Sequence, residues 1–194
     1  MPPPVQIVDN LFSSAAFRQI EHFVRHGARH SGGYDEVFVR NFTTASSALV
    51  EAHDALVPLA CELFDEKVKP SYSYISNYHE GGRCPLHADR QMCRWTIDLL
   101  VANDTGNDWP LMVADPWTDE EWAAYGFPLY DARPGDYELS DLPEVSWNEA
   151  TLEPNSAACY SGTHSWHYRP SESSGRVDLI FFHFVPEAYD GPLV

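Results

Sequence analysis

The residue types best suited to chemistry lie in two stretches, Tyr78-His-Glu-Gly-Gly-Arg-Cys-Pro-Leu-His87-Ala-Asp89-Arg90 and Ser161-Gly-Thr-His-Ser-Trp-His167-Tyr-Arg169-Pro170. If the residues around His87 are extended, side-chain alternation puts His87 and Asp89 on one face, so an imidazole and a carboxylate point at one spot. A histidine from a remote strand would complete a two-histidine, one-carboxylate face. That set suits a non-haem Fe(II), because it holds the ion while leaving neighbouring coordination positions open. His167 is the candidate for the third ligand. His164 lies an odd number of residues from it, so in a regular strand the two cannot both face the pocket.

The elements that must position these residues can be read from periodicity. Asn10 to His26 carries apolar residues near helical spacing with Gly27 as a stop, and a second helix runs from about Thr44 to Lys67 with a bend expected at Pro58. Between them, Tyr34 to Phe42 suits a short strand. From Ser71 the chain turns to tyrosine- and β-branched-rich pieces broken by Gly, Pro, Asn and Asp, the pattern of an all-β sandwich or barrel. Candidate strands are Ser71 to Tyr78, Leu86 to Asp89, Arg94 to Ala102, Leu111 to Ala114, Ala157 to Ser161, Ser165 to Arg169 and Arg176 to Val185. The expected organisation is a single domain over 1–194, with 1–69 as helical support and 70–194 as a β core. The irregular insertion near 117–148 reads equally as a lid over a site and as a plain surface connection.

Composition bounds the partners. A net charge of -17, from 12 basic and 29 acidic residues, argues against nucleic acid and against an anionic membrane surface, because both require neutralised phosphates. Cys61, Cys84, Cys93 and Cys159 form no C-x-x-C pair, and the start, Met-Pro-Pro-Pro, has neither the basic residues nor the apolar run of a secretory signal. Reduced thiols in a cytoplasmic protein are the expectation, with a Cys84–Cys93 disulfide or soft-metal site the alternative. No apolar run reaches membrane-spanning length.

Context raises the value of the His87/Asp89 pair. Tyr78 precedes His87 by nine residues with Gly81-Gly82 between, Arg94-Trp95-Thr96 opens an apolar strand, and Gly162, His167, Arg169 and Pro170 precede Gly175-Arg176 and a final β run. In these pieces the chain, from about Ser71 to Val185, resembles the Fe(II)/2-oxoglutarate-dependent dioxygenases, especially their prolyl-hydroxylase-like branch. The resemblance implies a fold that is mainly β with N-terminal helices, built on a double-stranded β-helix (a cupin-like jelly roll). It also implies Fe(II) held by His87, Asp89 and a distal histidine, 2-oxoglutarate as cosubstrate and O2 as oxidant. In that family an arginine about nine residues after the distal histidine grips the far carboxylate of 2-oxoglutarate. His167 to Arg176 is a spacing of nine, whereas His164 would need twelve. Arginine suits the role because its planar fork donates two parallel charge-assisted hydrogen bonds. Arg169, on the face of His167 in a regular strand, is a second candidate for a cosubstrate or substrate carboxylate, and Tyr78 is a candidate hydroxyl donor. A carboxylate at position 89, where Gly or Ala would leave room for halide, implies hydroxylation or a related oxidation.

Asp98, two residues beyond Thr96, and Asp178, on the face of Arg176, depart from an apolar lining and imply a more polar pocket that pairs an arginine or recognises an amine. His183, inside the last aromatic-rich strand, reads as a packed histidine. Three functional classes follow. The first is an oxygenase acting on a small amine-bearing molecule such as an amino acid or natural-product intermediate, with a peptide or protein side chain as the alternative substrate. The second is a cupin-like metalloprotein that binds Zn or Fe without 2-oxoglutarate. The third is a jelly-roll binding module without catalysis. Arg176 at its spacing favours the first.

Overall fold

Alternation along three long antiparallel strands gives one sheet two different faces. The computed structural model describes residues 4–27, 33–44 and 47–193. In chain order the elements are β1 (Gln6–Val8), α1 (Ser14–His22), a π-helical turn (Phe23–Gly27), β2 (Gly33–Asp35), β3 (Arg40–Thr44), α2 (Ser47–Leu63), β4 (Val68–Tyr78) and β5 (Trp95–Asn103). They continue as β6 (Leu111–Ala114), α3 (Asp119–Tyr125), β7 (Trp147–Ala150), β8 (Ala157–Tyr160), β9 (His167–Tyr168) and β10 (Val177–Pro186). The larger sheet has the order β1-β8-β5-β10-β4-β3-β2 and the smaller β7-β6-β9. Leu111, Val113 and Ala150 of the smaller sheet pack against Ala158 and Tyr160 of the larger one. The two sheets form the double-stranded β-helix that the resemblance implied.

Ile75, Trp95, Ile97, Leu99, Ile180, Phe182 and Phe184 point outward from the larger sheet into a layer closed by Val24, Leu49, Leu56, Ala60 and Phe64 of the helical segments. The helices therefore bury the outer face of the barrel. The inner face is left to Tyr72, Tyr74, Tyr78, Asp98, Phe181 and His183, which line a cavity. α2 runs on from Ser47 to Leu63 with Pro58 inside it.

Three local expectations differ from the structure. Tyr34 to Phe42 is a hairpin of β2 and β3, because the Asp35 carboxylate accepts from the Val37 and Phe38 amides and turns the chain. Leu86 to Asp89 is not a strand: preceded by Pro85, which has no amide hydrogen to donate, it keeps one isolated bridge, His87 to His167. The 117–148 insertion is packed and partly regular. Thr118 and Glu121 form a capping box at the start of α3, Gly126 ends it in the left-handed conformation, and Trp122 stacks on Trp166 at 5.0 Å. All four cysteines are free. Among the described residues no helix is long and apolar enough to cross a membrane.

His53 of α2 is buried edge-on to Phe184 at 4.6 Å, with no partner for Nε2 among the protein atoms. Burial pushes its pKa down to about 4 from 6.5. The unfolded chain therefore binds a proton that the folded one refuses between those values, and the contribution of His53 to stability is present above about pH 6.5 and lost as pH falls toward 4. At ~1.4 kcal/mol per pH unit this amounts to about 3 kcal/mol. Denaturant melts of His53→Leu should show an acid limb flatter than that of the parent by on the order of that amount.

Candidate metal centre and cavity

Each of the three proposed ligands is positioned by backbone contacts from a different segment. The amide of His87 donates to the His167 carbonyl at 3.1 Å, and the amide of His167 returns a bond to the His87 carbonyl at 2.9 Å. The Asp89 amide donates to the Gly162 carbonyl at 2.8 Å. A β-bridge thus juxtaposes the two histidines, and Gly162 sets the carboxylate beside them. A Cβ at Gly162 would lie 2.7 Å or less from Asp89 Oδ2, the Cys93 carbonyl and Thr96 Oγ1, so only glycine fits there without displacement.

The tautomers follow from the partners. His87 Nδ1 lies 2.7 Å from the Pro85 carbonyl and His167 Nδ1 lies 2.9 Å from the Ser165 carbonyl. A carbonyl only accepts, so each Nδ1 carries a hydrogen and each Nε2 is the ring atom turned toward Asp89. Both Nε2 atoms stand 3.8 Å from Asp89 Oδ1, and the three ligand atoms lie within 4.8 Å of one another. Burial, then His167, pushes His87 down to about 3, so it is neutral at physiological pH. Burial works to raise the Asp89 carboxyl, yet the surrounding histidines and the Thr96 hydroxyl outweigh it and hold it below its ordinary value. The two Nε2 atoms and the carboxylate oxygen thus converge on one point. This donor set, nitrogen, nitrogen and carboxylate oxygen, fits a divalent first-row cation such as Fe(II).

Thr96 Oγ1 donates to Asp89 Oδ2 at 3.3 Å and, having spent its hydrogen, accepts from His183 Nδ1 at 3.1 Å. His183 is therefore more than packing: it orients the threonine that orients the ligand. Phe38 stands edge-on to His87 at 5.6 Å and Tyr160 to His167 at 5.1 Å.

Beside the triad lies a cavity of about 520 Å³ whose lining includes Tyr78, Asp98 and Arg169. Tyr78 is buried, and its hydroxyl accepts from Arg40 Nη1 at 3.2 Å. Arg169 is committed: it donates to the Trp109 carbonyl and, at 3.2 Å, to Asp98 Oδ2. Burial pushes Asp98 up to about 6 against the pull of Arg169, and its Oδ1 has no partner among the protein atoms.

Two other expected residues are placed elsewhere. His164 Nε2 donates to Asp119 at 2.8 Å and its Nδ1 accepts from the Thr163 hydroxyl at 2.6 Å, fastening the start of α3 to the barrel, and the residue does not line the cavity. Arg176 just precedes β10 and pairs with Asp178 at 2.9 Å. Asp178 in turn accepts from Asn77, which shares the outward face of β4 with Ile75. Arg176 is thus on the wrong side of the sheet for the cavity, with its side chain 41% exposed. A spacing of nine cannot report this, because the face depends on where the strand begins. Sequence reasoning missed Arg40, which lines the cavity from β3. An arginine in a short hairpin carries no signal that separates it from a surface residue.

A double-stranded β-helix with a His-Asp-His face opening on an internal cavity is the class that the fold and site define. No protein-family model matches the sequence, and no curated protein matches it by sequence. Solved structures match throughout its length. HygX from Streptomyces hygroscopicus, with nickel, 2-oxoglutarate and hygromycin B bound, superposes with a TM-score of 0.63 at 12% identity over 96% of this chain and 84% of that one. A 2OG-Fe(II) oxygenase family oxidoreductase from Burkholderia pseudomallei gives 0.64 at 8% identity over 98% and 87%. A Pseudomonas putida prolyl-4-hydroxylase gives 0.60 at 10% identity over 95% and 93%. The chain shares the fold of Fe(II)/2-oxoglutarate oxygenases.

Fe(II) or Ni(II) titrations of His87→Ala, Asp89→Ala and His167→Ala should show affinity reduced by more than the ~10- to 100-fold that loss of an outer partner costs. Gly162→Ala, which pushes on Asp89 without removing a ligand, should fall within that ~10- to 100-fold range, and His164→Ala should bind metal as the parent does.

Proposed function

We propose that this protein is an Fe(II)/2-oxoglutarate-dependent oxygenase that hydroxylates an unactivated C–H bond of a small amine-bearing molecule. The observation that carries the reading is the convergence of two imidazole Nε2 atoms and one carboxylate oxygen beside a cavity of about 520 Å³. That volume is within the range of small-molecule sites. The structural likeness to HygX, bound to 2-oxoglutarate and hygromycin B, supports it.

His87, Asp89 and His167 would hold Fe(II), which when bound supplies O2 activation coupled to decarboxylation of 2-oxoglutarate. The overall balance is R–H + 2-oxoglutarate + O2 → R–OH + succinate + CO2, with one oxygen atom entering the product and the other entering succinate. The residues of the chain do the positioning. The Pro85 and Ser165 carbonyls would keep both Nε2 atoms turned toward the ion, and the hydroxyl of Thr96 fixes the Asp89 carboxylate. Phe38 and Tyr160 wall the two imidazoles, limiting ring rotation and water entry. Tyr78 and Arg169 supply polar wall toward the cosubstrate.

An amine fits the acids of the lining. Asp98 offers an unpartnered buried oxygen, while Asp35 and Asp131 stand among the cavity residues. Across a surface with a net charge of -17 a cationic small molecule is drawn in and a polyanion is repelled.

Anaerobic addition of Fe(II) and then 2-oxoglutarate should give a weak visible charge-transfer band. Succinate formation should then rise above the uncoupled background with free amino acids or other small amines. Stimulation by peptides alone would move the substrate class to protein side chains. Absence of the band, or stimulation by methylated oligonucleotides alone, would overturn the reading.

A further inference from the structure

We propose that Arg40, on a strand added outside the barrel, anchors the distal carboxylate of the dicarboxylate cosubstrate, an assignment that rests on the 2-oxoglutarate reading above. Four arginines line the cavity: Arg40, Arg90, Arg133 and Arg169. Arg90 and Arg133 are exposed, and Arg133 is paired with Asp131. Arg169 is neutralised by Asp98 in a pair whose side chains are 4% and 1% exposed. Arg176 faces away. Arg40 remains.

Its surroundings leave it under-satisfied. The side chain is only 11% exposed. Nη1 is shared among the hydroxyls of Tyr74, Ser76 and Tyr78 at 3.2 to 3.5 Å, and Nη2 reaches Asp35 Oδ2 at 3.3 Å. All are at or beyond the long end of the N–H···O range, and Nε is buried with no partner among the protein atoms. A guanidinium cannot shed its proton, so a buried one with slack contacts calls for an anion. The Asp35 counter-charge is divided, because its Oδ1 already accepts from two amides of the turn.

The placement suits a five-carbon diacid. The guanidinium stands 4.0 Å from the centroid of Phe38, whose ring is edge-on to His87, so one aromatic ring separates it from a metal ligand. An oxoacid held at the His87, Asp89 and His167 site through its C1 carboxylate and C2 keto oxygens would extend along that ring to Arg40. The hydroxyls of Tyr74 and Tyr78 flank the same point and can turn their hydrogens toward a carboxylate. The turn that presents Arg40 is strained: Val39, a β-branched residue, is held at φ 55°.

The test compares 2-oxoglutarate with 2-oxopentanoate, in which a methyl group replaces the distal carboxylate, by anaerobic titration of the Fe(II)-loaded protein. The parent should prefer the diacid. Arg40→Gln should weaken 2-oxoglutarate binding by about thirtyfold or more, the scale of a lost buried charge partner, and leave 2-oxopentanoate within about threefold, so that the preference collapses. Arg40→Lys, which keeps the charge but not the fork, should be intermediate, and Arg176→Gln should match the parent. Unchanged 2-oxoglutarate affinity in Arg40→Gln, or an equal loss for both acids, would overturn the assignment to Arg40 while leaving the oxygenase reading intact. If Arg40→Gln does not fold, parent-like binding by Arg40→Lys would overturn it instead. A parent that binds neither acid would sink the underlying reading as well.

Discussion

Two imidazole Nε2 atoms and a carboxylate oxygen, all within 4.8 Å of one another, make the demand that the surrounding elements meet. Each imidazole has its proton drawn to the far side by a carbonyl two residues upstream, and the carboxylate is held ionised in a buried setting. Keeping three buried polar groups at that separation takes rigid scaffolding. The scaffolding is visible as the backbone bridge between His87 and His167, the Gly162 contact to Asp89 and the Thr96–His183 relay. The rest of the barrel can be understood as what keeps those groups from relaxing apart.

The division of labour between the two faces of the larger sheet serves the same end. Apolar burial is concentrated outside, where α1 and α2 cover Ile75, Ile97, Ile180 and Phe182. The interior can then carry Tyr74, Asp98, His183, Arg40 and Arg169 without depriving the domain of its hydrophobic stabilisation. Polar interiors are costly unless satisfied, and most of these groups are: Asp98 by Arg169, Thr96 by His183, Tyr78 by Arg40. The exceptions are Asp98 Oδ1, Arg40 Nε and His183 Nε2, which have no partner among the protein atoms.

Much of this was legible in the sequence. The β-rich second half, the two covering helices and the convergence of His87, Asp89 and His167 follow from alternation and residue type. The reason given for the convergence differs from the one at work. His87 and Asp89 do not share a strand; each is placed by its own hydrogen bond to a remote carbonyl, which local periodicity does not encode. Arg176 shows the converse case. Its distance in sequence from His167 fits an expected pattern, but the face it occupies is decided by the register of β10 against β4, where Asp178 sits opposite Asn77. The role of Arg40 depends on a hairpin turn made by Asp35 and on pairing with β4, both tertiary facts. Patterns of period two located the strands well, and failed wherever a turn or strand start decided which way a side chain points.

The bridge between His87 and His167 has a meaning for how the chain comes into being. Its two halves belong to segments made far apart in time during synthesis, and β10, which supplies His183, follows even later. A nascent or truncated chain lacking the last strands has the first histidine and the carboxylate but neither the second histidine nor the threonine's partner. Capture of a metal by these three residues would therefore be coupled to completion of the barrel, because their ligand atoms meet only once the long-range pairing of His87 with His167 has formed.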